Sequence, residues 1–285
     1  MAYVIFTDSG CDLDLDVLAK WNVRSESLTF KFDGEDKQYR NEDMDVKTFY
    51  DRMRKGDVSR TSAVNMDAFY QAFEEELAKG NDILYIGFSS GISTTSNSGI
   101  MAASELQEKY PQRKIYAFDT KCASCGQGIL VWNAVEARDA GASLEDVARL
   151  VETSAPNIGH WFTPSDLVYL KRGGRVSAAS AIAGTVLDIK PVMHVDEEGK
   201  LVAVKKIRTR KKALQELVAA YETTAIDKGG KFTIGHSDCL PEAEAMAAEL
   251  KEKYGANGLI TNIGPVIGSH TGPGLIVLCF PATHR

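Results

Sequence analysis

The sequence predicts an α/β protein of two domains: a three-layer α/β/α domain with a parallel sheet over residues 1–156, and a two-layer α+β domain with a mixed sheet over 157–285. Two observations support this fold class. Up to residue 154, short apolar runs alternate with helical patterns, which is typical of parallel strands covered by helices on both faces. Beyond Pro156 a hairpin pattern surrounds Glu198-Gly199, and hairpins join antiparallel strands.

The composition is that of a folded globular chain. Of the 285 residues, 44% are hydrophobic and 25% are charged, which excludes a disordered protein. The formal net charge of −6 argues against a protein that coats nucleic acid, so we expect no nucleic-acid partner. No apolar run is long enough to span a membrane, and the strand pattern that begins at Tyr3 leaves no basic signal region, so we expect a cytoplasmic protein. Five cysteines do not make the even set of a disulfide framework.

The first half alternates strands with helices. Apolar runs at 3–6, 28–32, 83–88 and 115–118 predict strands, and helices are predicted after Leu13, over 45–55 with Asp45 as the cap, and over 67–79. Ligands of parallel sheets bind beyond the carboxyl ends of the strands. Four polar segments are therefore expected to meet there: Thr7-Asp8-Ser9, the predicted loop at Thr61-Ser62, Ser89 to Ser98, and Asp119-Thr120.

The second half is predicted to mix helices with strands of both directions. Ser143 caps a helix over 144–153, and Ala155-Pro156-Asn157 then breaks the pattern, which places the domain boundary near Pro156. The later elements are a strand at 158–162, a helix start at Thr163-Pro164, a small-residue helix over 177–186, a hairpin over 192–207, a helix over 211–221, a helix from Pro241 to Gly255, and strands at 232–234, 259–261 and 275–280.

The serine-rich stretch from Ser89 to Ser98 is the first candidate site. It follows an apolar strand directly, so its hydroxyls and free backbone N–H groups lie at the positive end of a helix dipole, where carboxylates and phosphates bind. Helix capping alone would need one or two of these residues. The excess favours an anion site, with Ser93 as the main donor.

A glycine-flanked histidine is the second candidate. His270 lies in the predicted loop 264–274, where flanking glycines let the backbone approach a ligand. A neutral imidazole there donates a hydrogen bond to a carboxylate or takes part in proton transfer; the alternative is an exposed loop residue.

Three further patterns have equally simple alternatives. Gly173-Gly174-Arg175 offers a guanidinium for bidentate contact with an anion, or it is a surface arginine after a helix end. The basic stretch 205–212 is a docking surface or a solvated face. Cys122 and Cys125 have redox spacing, but buried small side chains explain them better. We expect neither a metal site nor a nucleotide-binding loop.

These motifs together resemble the DegV family, bacterial fatty-acid-binding proteins that include carrier subunits of fatty acid kinase. The resemblance runs nearly end to end and rests on motifs in the family's order: Thr7-Asp8-Ser9, Thr61-Ser62, Ser89-Ser90-Gly91-Ile92-Ser93, Asp119-Thr120, Gly126-Gln127-Gly128, Tyr169 to Ser177, Ile189-Lys190-Pro191, and Gly268 to Gly274. Two positions depart from the family pattern: Ala63-Val64-Asn65 lacks the usual proline, and Thr94 stands where glycine is usual.

The resemblance implies a two-domain fold that binds a long-chain fatty acid as its ligand, without a cofactor and without catalytic residues of its own. Its partner would be a separate ATP-dependent kinase subunit that converts the bound acid to an acyl phosphate, and the carrier would contact a membrane surface transiently. The implied carboxylate-binding residues are Thr61, Ser62, Ser93, Thr94, Ser269, His270 and Thr271. Gly173, Gly174 and Arg175 would form the mouth, and Phe162, Ile182, Val186 and Ile267 would line the acyl chain.

Two other functions fit the same residues. One is an enzyme or kinase subunit that acts on a small hydroxylated or phosphorylated metabolite, with His270 as the catalytic residue. The other is a regulatory module that binds a partner through the basic stretch 205–212.

Overall fold

The computed structural model of the protein describes residues 2–175 and 189–285. In chain order the elements are β1 (Tyr3–Asp8), α1 (Leu15–Lys20), β2 (Val23–Glu26), β3 (Thr29–Phe32), β4 (Tyr39–Arg40), α2 (Val46–Arg54), β5 (Ser59–Ser62), α3 (Met66–Ala78), β6 (Asp82–Gly87), α4 (Thr95–Lys109), β7 (Ile115–Asp119), α5 (Cys125–Asp139), α6 (Leu144–Ser154), β8 (Ile158–Thr163), α7 (Val168–Arg172), β9 (Ile189–Val195), β10 (Leu201–Arg208), α8 (Arg210–Thr224), β11 (Lys231–His236), α9 (Leu240–Tyr254), β12 (Asn257–Asn262), α10 (Pro265–Thr271) and β13 (Ile276–Pro281).

The first half forms the predicted α/β/α sandwich. Its parallel sheet has the order β2-β1-β6-β7; helices α3 and α4 pack on one face, and α1, α5 and α6 on the other. The predicted caps are confirmed, because the side chain of Asp45 accepts a hydrogen bond from the backbone N–H of Thr48 and that of Ser143 from Asp146.

A separate antiparallel sheet, in the order β4-β3-β5, corrects two predictions. The strand predicted at 28–32 lies in this sheet and not in the parallel sheet. Its place in the parallel sheet is taken by β2, which has a single apolar residue, Val23. Thr61 and Ser62 lie inside β5 and not in a loop, since Thr61 pairs with Phe30 and Ser62 with Thr29. Polar residues on a strand gave no signal that a second sheet was present.

The second half contains the predicted mixed sheet, in the order β10-β9-β8-β13-β11-β12. The predicted hairpin is confirmed as β9 and β10, and β11 and β12 form a parallel pair. Helices α8 and α9 pack on one face. The end of α9 is also as predicted, because Gly255 adopts a left-handed conformation with φ 69°.

Helix α5 lies between the two large sheets. It contacts β1 and β6 of the parallel sheet and β11 and β13 of the mixed sheet. Its residues from Cys125 to Val131 are all buried, as expected of a helix with a neighbour on every side. Gly126 is necessary for this packing, because a Cβ atom there would clash with the imidazole of His160 on β8.

Two loop predictions in the second half are wrong. The glycine-rich segment 264–274 contains α10, whose Gly268 faces the buried Tyr50; a Cβ atom there would lie 2.5 Å from the Tyr50 hydroxyl. No helix begins at Thr163-Pro164, and α7 starts at Val168. The small-residue helix predicted over 177–186 lies outside the described residues. Among the helices of residues 2–175 and 189–285, none is both long and apolar enough to cross a bilayer.

Candidate functional site

A cavity of about 510 Å³ opens beside the loop that follows β6, where β5, the segment after α7, α10 and the start of β10 also meet. Its polar lining includes Thr61, Ser93, His270 and Arg175. Its apolar lining includes Leu28, Phe88, Ile92, Leu201, Val266 and Ile267. A ligand with one polar end and one apolar end suits a lining that contains both kinds of residue.

Thr61 and His270 form the polar corner of the cavity. They come from β5 and α10, and Thr61 Oγ1 lies 2.7 Å from His270 Nε2. His270 Nδ1 is buried and has no hydrogen-bond partner among the described residues. A buried N–H without a partner is rarer than a buried acceptor without one, so we assign the ring proton to Nε2. His270 then donates to Thr61, and the Thr61 hydroxyl proton is free for a ligand.

His270 is a neutral residue in this environment. Burial, followed by the charge of the nearby Arg175, lowers the pKa of His270 to about 4. Gly173 at the end of α7 packs directly on the ring, and a Cβ atom there would clash with Nδ1. The imidazole is thus held in place between α7 and Thr61, and it orients the Thr61 hydroxyl.

Ser93 also lines the cavity, from the turn before α4. Its hydroxyl accepts a hydrogen bond from the backbone N–H of Thr95 at 3.3 Å and lies 2.9 Å from the Thr95 hydroxyl. Thr94 is the N-cap residue and makes no side-chain cap, so Ser93 acts as the capping side chain. Helix α4 begins two residues after Ser93, at Thr95.

A buried carboxylate, Asp8, and a half-buried one, Asp119, shape the loop after β6. Asp8 accepts hydrogen bonds from the Tyr85 hydroxyl at 2.8 Å and the Phe88 backbone N–H at 3.0 Å, and burial raises its pKa to about 6. Asp119 accepts from the backbone N–H of Ser90 at 3.0 Å. The segments at Asp8 and Asp119 thus meet the serine-rich loop as predicted, but they support it and do not line the cavity.

The turn of the β9–β10 hairpin packs against the same loop. The Ser89 hydroxyl donates to the Gly199 carbonyl at 2.8 Å. Gly91 makes this contact possible, because a Cβ atom there would lie 2.6 Å from the carbonyl oxygens of both Glu198 and Gly199. The hairpin thereby places Lys200 and Leu201 on the cavity wall.

A second, apolar cavity of about 50 Å³ adjoins the first. The two share Phe88, Ile92, Leu201, Ile267 and Thr271. The smaller one then extends between the mixed sheet and the start of α5, where Phe162, Val195, Leu275, Val277, Ala123 and His160 line it. The structure therefore places Phe162 and Ile267 together, as predicted, whereas Ile182 and Val186 lie outside the described residues.

Several of the other predicted residues have different surroundings. Ser62 is exposed and contributes to neither cavity, because alternate residues of a strand face opposite sides. Ser269 is buried and its hydroxyl donates to the Pro265 carbonyl at 2.7 Å. Thr271 and Thr94 do line the cavity, although the Thr271 hydroxyl already donates to the Ile267 carbonyl.

The apolar lining was largely missed by the sequence reasoning. Periodicity does not distinguish a cavity wall from a packed core, so the sequence predicts only ordinary strand or loop positions for Phe88, Ile92, Leu201, Val195 and Val277. The position of Phe88 was predictable, because it ends the strand that leads into the serine-rich loop.

The remaining candidates lie elsewhere. Cys122 and Cys125 are free and buried. Within residues 2–175 and 189–285, no group of three histidine, cysteine or acidic side chains is arranged to hold a metal. The basic stretch 205–212 runs from the second half of β10 into the start of α8. Strand β10 is an edge strand, where exposed lysines prevent pairing with other chains.

Comparison with known proteins gives consistent matches along the whole chain. The family model described as "Uncharacterised protein, DegV family" matches residues 2–282. A DegV domain-containing protein of Clostridium perfringens is 39% identical over 282 residues, which cover 98% of this chain and 97% of that protein.

Two solved structures are similar in both fold and sequence. A DegV family protein from Thermus thermophilus, described by its fatty acid binding, has a TM-score of 0.89 at 30% identity, with 99% of this chain and 100% of that chain covered. DegV from Bacillus subtilis, described as a fatty acid binding protein, has a TM-score of 0.83 at 31% identity, with 98% of each chain covered.

Proposed function

Because this chain belongs to the DegV family, we propose that it binds a long-chain fatty acid, with the carboxylate at the Thr61–His270 corner and the acyl chain directed toward Phe162. The observation that carries this proposal is that the cavity with the Thr61–His270 corner shares five lining residues with the apolar cavity beside it. The fatty-acid-binding descriptions of the similar proteins from T. thermophilus and B. subtilis support it. In this proposal residues 1–156 supply most of the head-group contacts, and residues 157–285 supply most of the channel.

The head-group end offers two hydroxyl donors. In this proposal the carboxylate accepts hydrogen bonds from the Thr61 hydroxyl, which His270 orients, and from the Ser93 hydroxyl. Arg175 supplies positive charge at the rim. Hydrogen bonds to a charged partner contribute about 1.5–3 kcal/mol each, so these contacts fix the position of the carboxylate.

The apolar end supplies most of the affinity. Each methylene buried from water contributes about 0.8 kcal/mol, so a chain of about ten buried methylenes exceeds the contribution of the head group. A carrier of this kind tolerates variation in the head group better than loss of the tail.

The chain itself is proposed to be a carrier subunit and not an enzyme. Gly174 and Arg175 are exposed beside the cavity, so a separate ATP-dependent kinase subunit would reach the carboxylate there and form the acyl phosphate. Arg175 would contact this kinase. Exchange of the ligand would involve transient contact with a membrane surface, and we assign the activity to the cytoplasm.

The alternative role of His270 as the catalytic base for a small metabolite is less consistent with the site. A general base works best with a pKa near the operating pH, and the pKa of His270 is about 4. Its Nδ1 atom is covered by Gly173, and Nε2 faces Thr61.

The first experiment identifies the ligand. Protein purified without added lipid is extracted and its ligand is measured by mass spectrometry, and the stripped protein is tested for uptake of labelled palmitate. A stoichiometric fatty acid, or saturable uptake, is expected. A well-folded protein that neither carries nor takes up a fatty acid would refute the proposal.

A second experiment tests presentation of the carboxylate to a kinase. The double variant Ser93→Ala/His270→Ala is expected to bind palmitate moderately less well, by about tenfold, but to lose kinase-dependent formation of acyl phosphate, which is trapped as the hydroxamate. Ser62→Ala is the control, because Ser62 is exposed and lines neither cavity. Retained phosphorylation in the double variant would show that the carboxylate lies elsewhere.

A further inference from the structure

The side chain of Arg285, which follows β13, contacts the loop between β7 and α5. Its guanidinium donates hydrogen bonds to the backbone carbonyls of Thr120 and Lys121, both at 2.8 Å, and to that of Ala155 at 2.5 Å. A longer bond of 3.3 Å goes to the carbonyl of Asp196 in the turn of the β9–β10 hairpin. One side chain therefore joins the β7–α5 loop, the end of α6 and the hairpin.

The hydrogen bonds of Arg285 restrain backbone and form no ion pair. Within residues 2–175 and 189–285 they go to neutral acceptors, namely the four carbonyls and the sulfur of Cys122. Ala155 is the C-cap residue of α6, so one of these bonds lies at the negative end of a helix dipole, where a cation is favourable. The guanidinium thus fixes the relative positions of three backbone segments.

The loop that Arg285 holds has an unusual backbone conformation. Lys121 and Ser124 lie in the left-handed region, with φ of 56° and 53°. Residues other than glycine adopt such angles only where surrounding contacts enforce them. Because Arg285 binds the carbonyl of Lys121 and that of the preceding residue, we expect the loop to relax toward ordinary backbone angles when the guanidinium is removed.

The β7–α5 loop in turn holds the serine-rich loop of the cavity. The backbone N–H of Ser89 donates to the Cys122 carbonyl at 2.9 Å, and the backbone N–H of Ser90 donates to the Asp119 carboxylate at 3.0 Å. The ammonium group of Lys121 donates to the Ser90 hydroxyl at 2.5 Å. The first two residues of the serine-rich loop are therefore placed by the loop that Arg285 restrains.

The proposed carboxylate donor Ser93 depends on the same anchor. The backbone N–H of Ser93 donates to the Ser89 carbonyl at 3.1 Å, and that of Ile92 donates to the same carbonyl at 3.3 Å. A shift of Ser89 would therefore move the Ser93 hydroxyl. The apolar lining supplied by the mixed sheet, such as Phe162 and Val277, has no part in this chain of contacts and would stay in place.

We propose that Arg285 is a positioning residue for the carboxylate of the ligand. It lines neither cavity, so it acts through the β7–α5 loop and Ser89. This inference rests on the proposed fatty-acid function. It assigns part of the head-group affinity to a side chain outside the site, and none of the affinity for the acyl chain.

The test compares laurate with 1-dodecanol, which has an equally long chain but no carboxylate, by displacement of a fluorescent fatty acid from the full-length protein. Arg285→Met keeps the apolar stem and removes the donors, so it is expected to weaken laurate about tenfold and 1-dodecanol less than about twofold. Arg285→Lys keeps a charged donor and is expected to weaken laurate only about threefold. Arg149→Met is the control, since Arg149 is exposed on α6 and lines neither cavity.

The selectivity for laurate separates positioning from a purely structural role. Equal weakening of both ligands by Arg285→Met, or laurate affinity within twofold of wild type, would overturn the assignment and leave fatty-acid binding intact. If urea unfolding shows that Arg285→Met does not fold, Arg285→Lys carries the comparison, and a loss that is not confined to laurate refutes the assignment. Wild-type protein that binds neither ligand would refute the proposed function itself.

Discussion

Replacement of Thr61 by valine tests the head-group assignment most directly. Valine keeps the shape and the β-branched stem that suit strand β5, and it removes only the hydroxyl. The hydroxyl accepts from His270 Nε2 at 2.7 Å and, in our assignment, donates to the ligand. Loss of one hydrogen bond to a carboxylate costs about 1.5–3 kcal/mol, so palmitate affinity should fall about 10- to 150-fold.

The same variant makes a prediction for the ligand-free protein. Without the hydroxyl, the His270 Nε2–H has no partner in a half-buried position, which should reduce the free energy of unfolding by about 1–3 kcal/mol. Affinity is measured by displacement of a fluorescent fatty acid, and stability by urea unfolding. Ser62→Ala on the same strand should change neither. Palmitate affinity within twofold of wild type in Thr61→Val would refute the position given to the carboxylate.

Three further predictions concern packing, titration and the channel. Gly91→Ala should lower the melting temperature, because its Cβ atom would lie 2.6 Å from two carbonyl oxygens of the hairpin. Gly229→Ala is the control and should not lower it, because its Cβ atom would lie 3.4 Å from the nearest atom. Equal melting temperatures of the two variants would contradict the contact. Burial raises the pKa of Asp12 to about 8, so between pH 4 and 8 the folded state keeps a proton that the unfolded chain has lost. The free energy of unfolding should therefore decline as the pH rises through this range. Asp12→Asn should reduce that decline, which is measured by urea unfolding at several pH values. An unchanged slope would show that Asp12 is ionised in the fold. Val195→Phe should reduce affinity for stearate more than for laurate in the displacement assay, and equal losses would place the chain elsewhere.

Local signals explain which elements were predictable. Asp45 and Ser143 cap helices through bonds within one turn, and the Glu198-Gly199 turn lies between the two strands it joins. Each of these features is determined by neighbours in sequence, so the pattern alone was sufficient to predict it.

Long-range contacts explain what was missed. Thr61 seemed a loop residue because its partner strand, around Phe30, is 31 residues earlier in the chain. The segment around His270 was predicted as a loop because glycines favour flexible backbone. In the structure these glycines instead make room for neighbouring side chains: Gly268 for Tyr50, and Gly173 for His270. The residue types of the head group were predictable from the polar segments of the sequence.

The position of α5 has a consequence for how the protein unfolds. Its buried residues complete the cores of both large sheets, and Thr233 of β11 donates to the Cys125 carbonyl at 2.9 Å. If either half unfolded alone, the face of α5 that packs on it would be left in water with its apolar side chains exposed. The two halves should therefore unfold as one cooperative unit, with a single calorimetric transition whose van't Hoff and measured enthalpies agree. Two resolved transitions would show that α5 does not couple them.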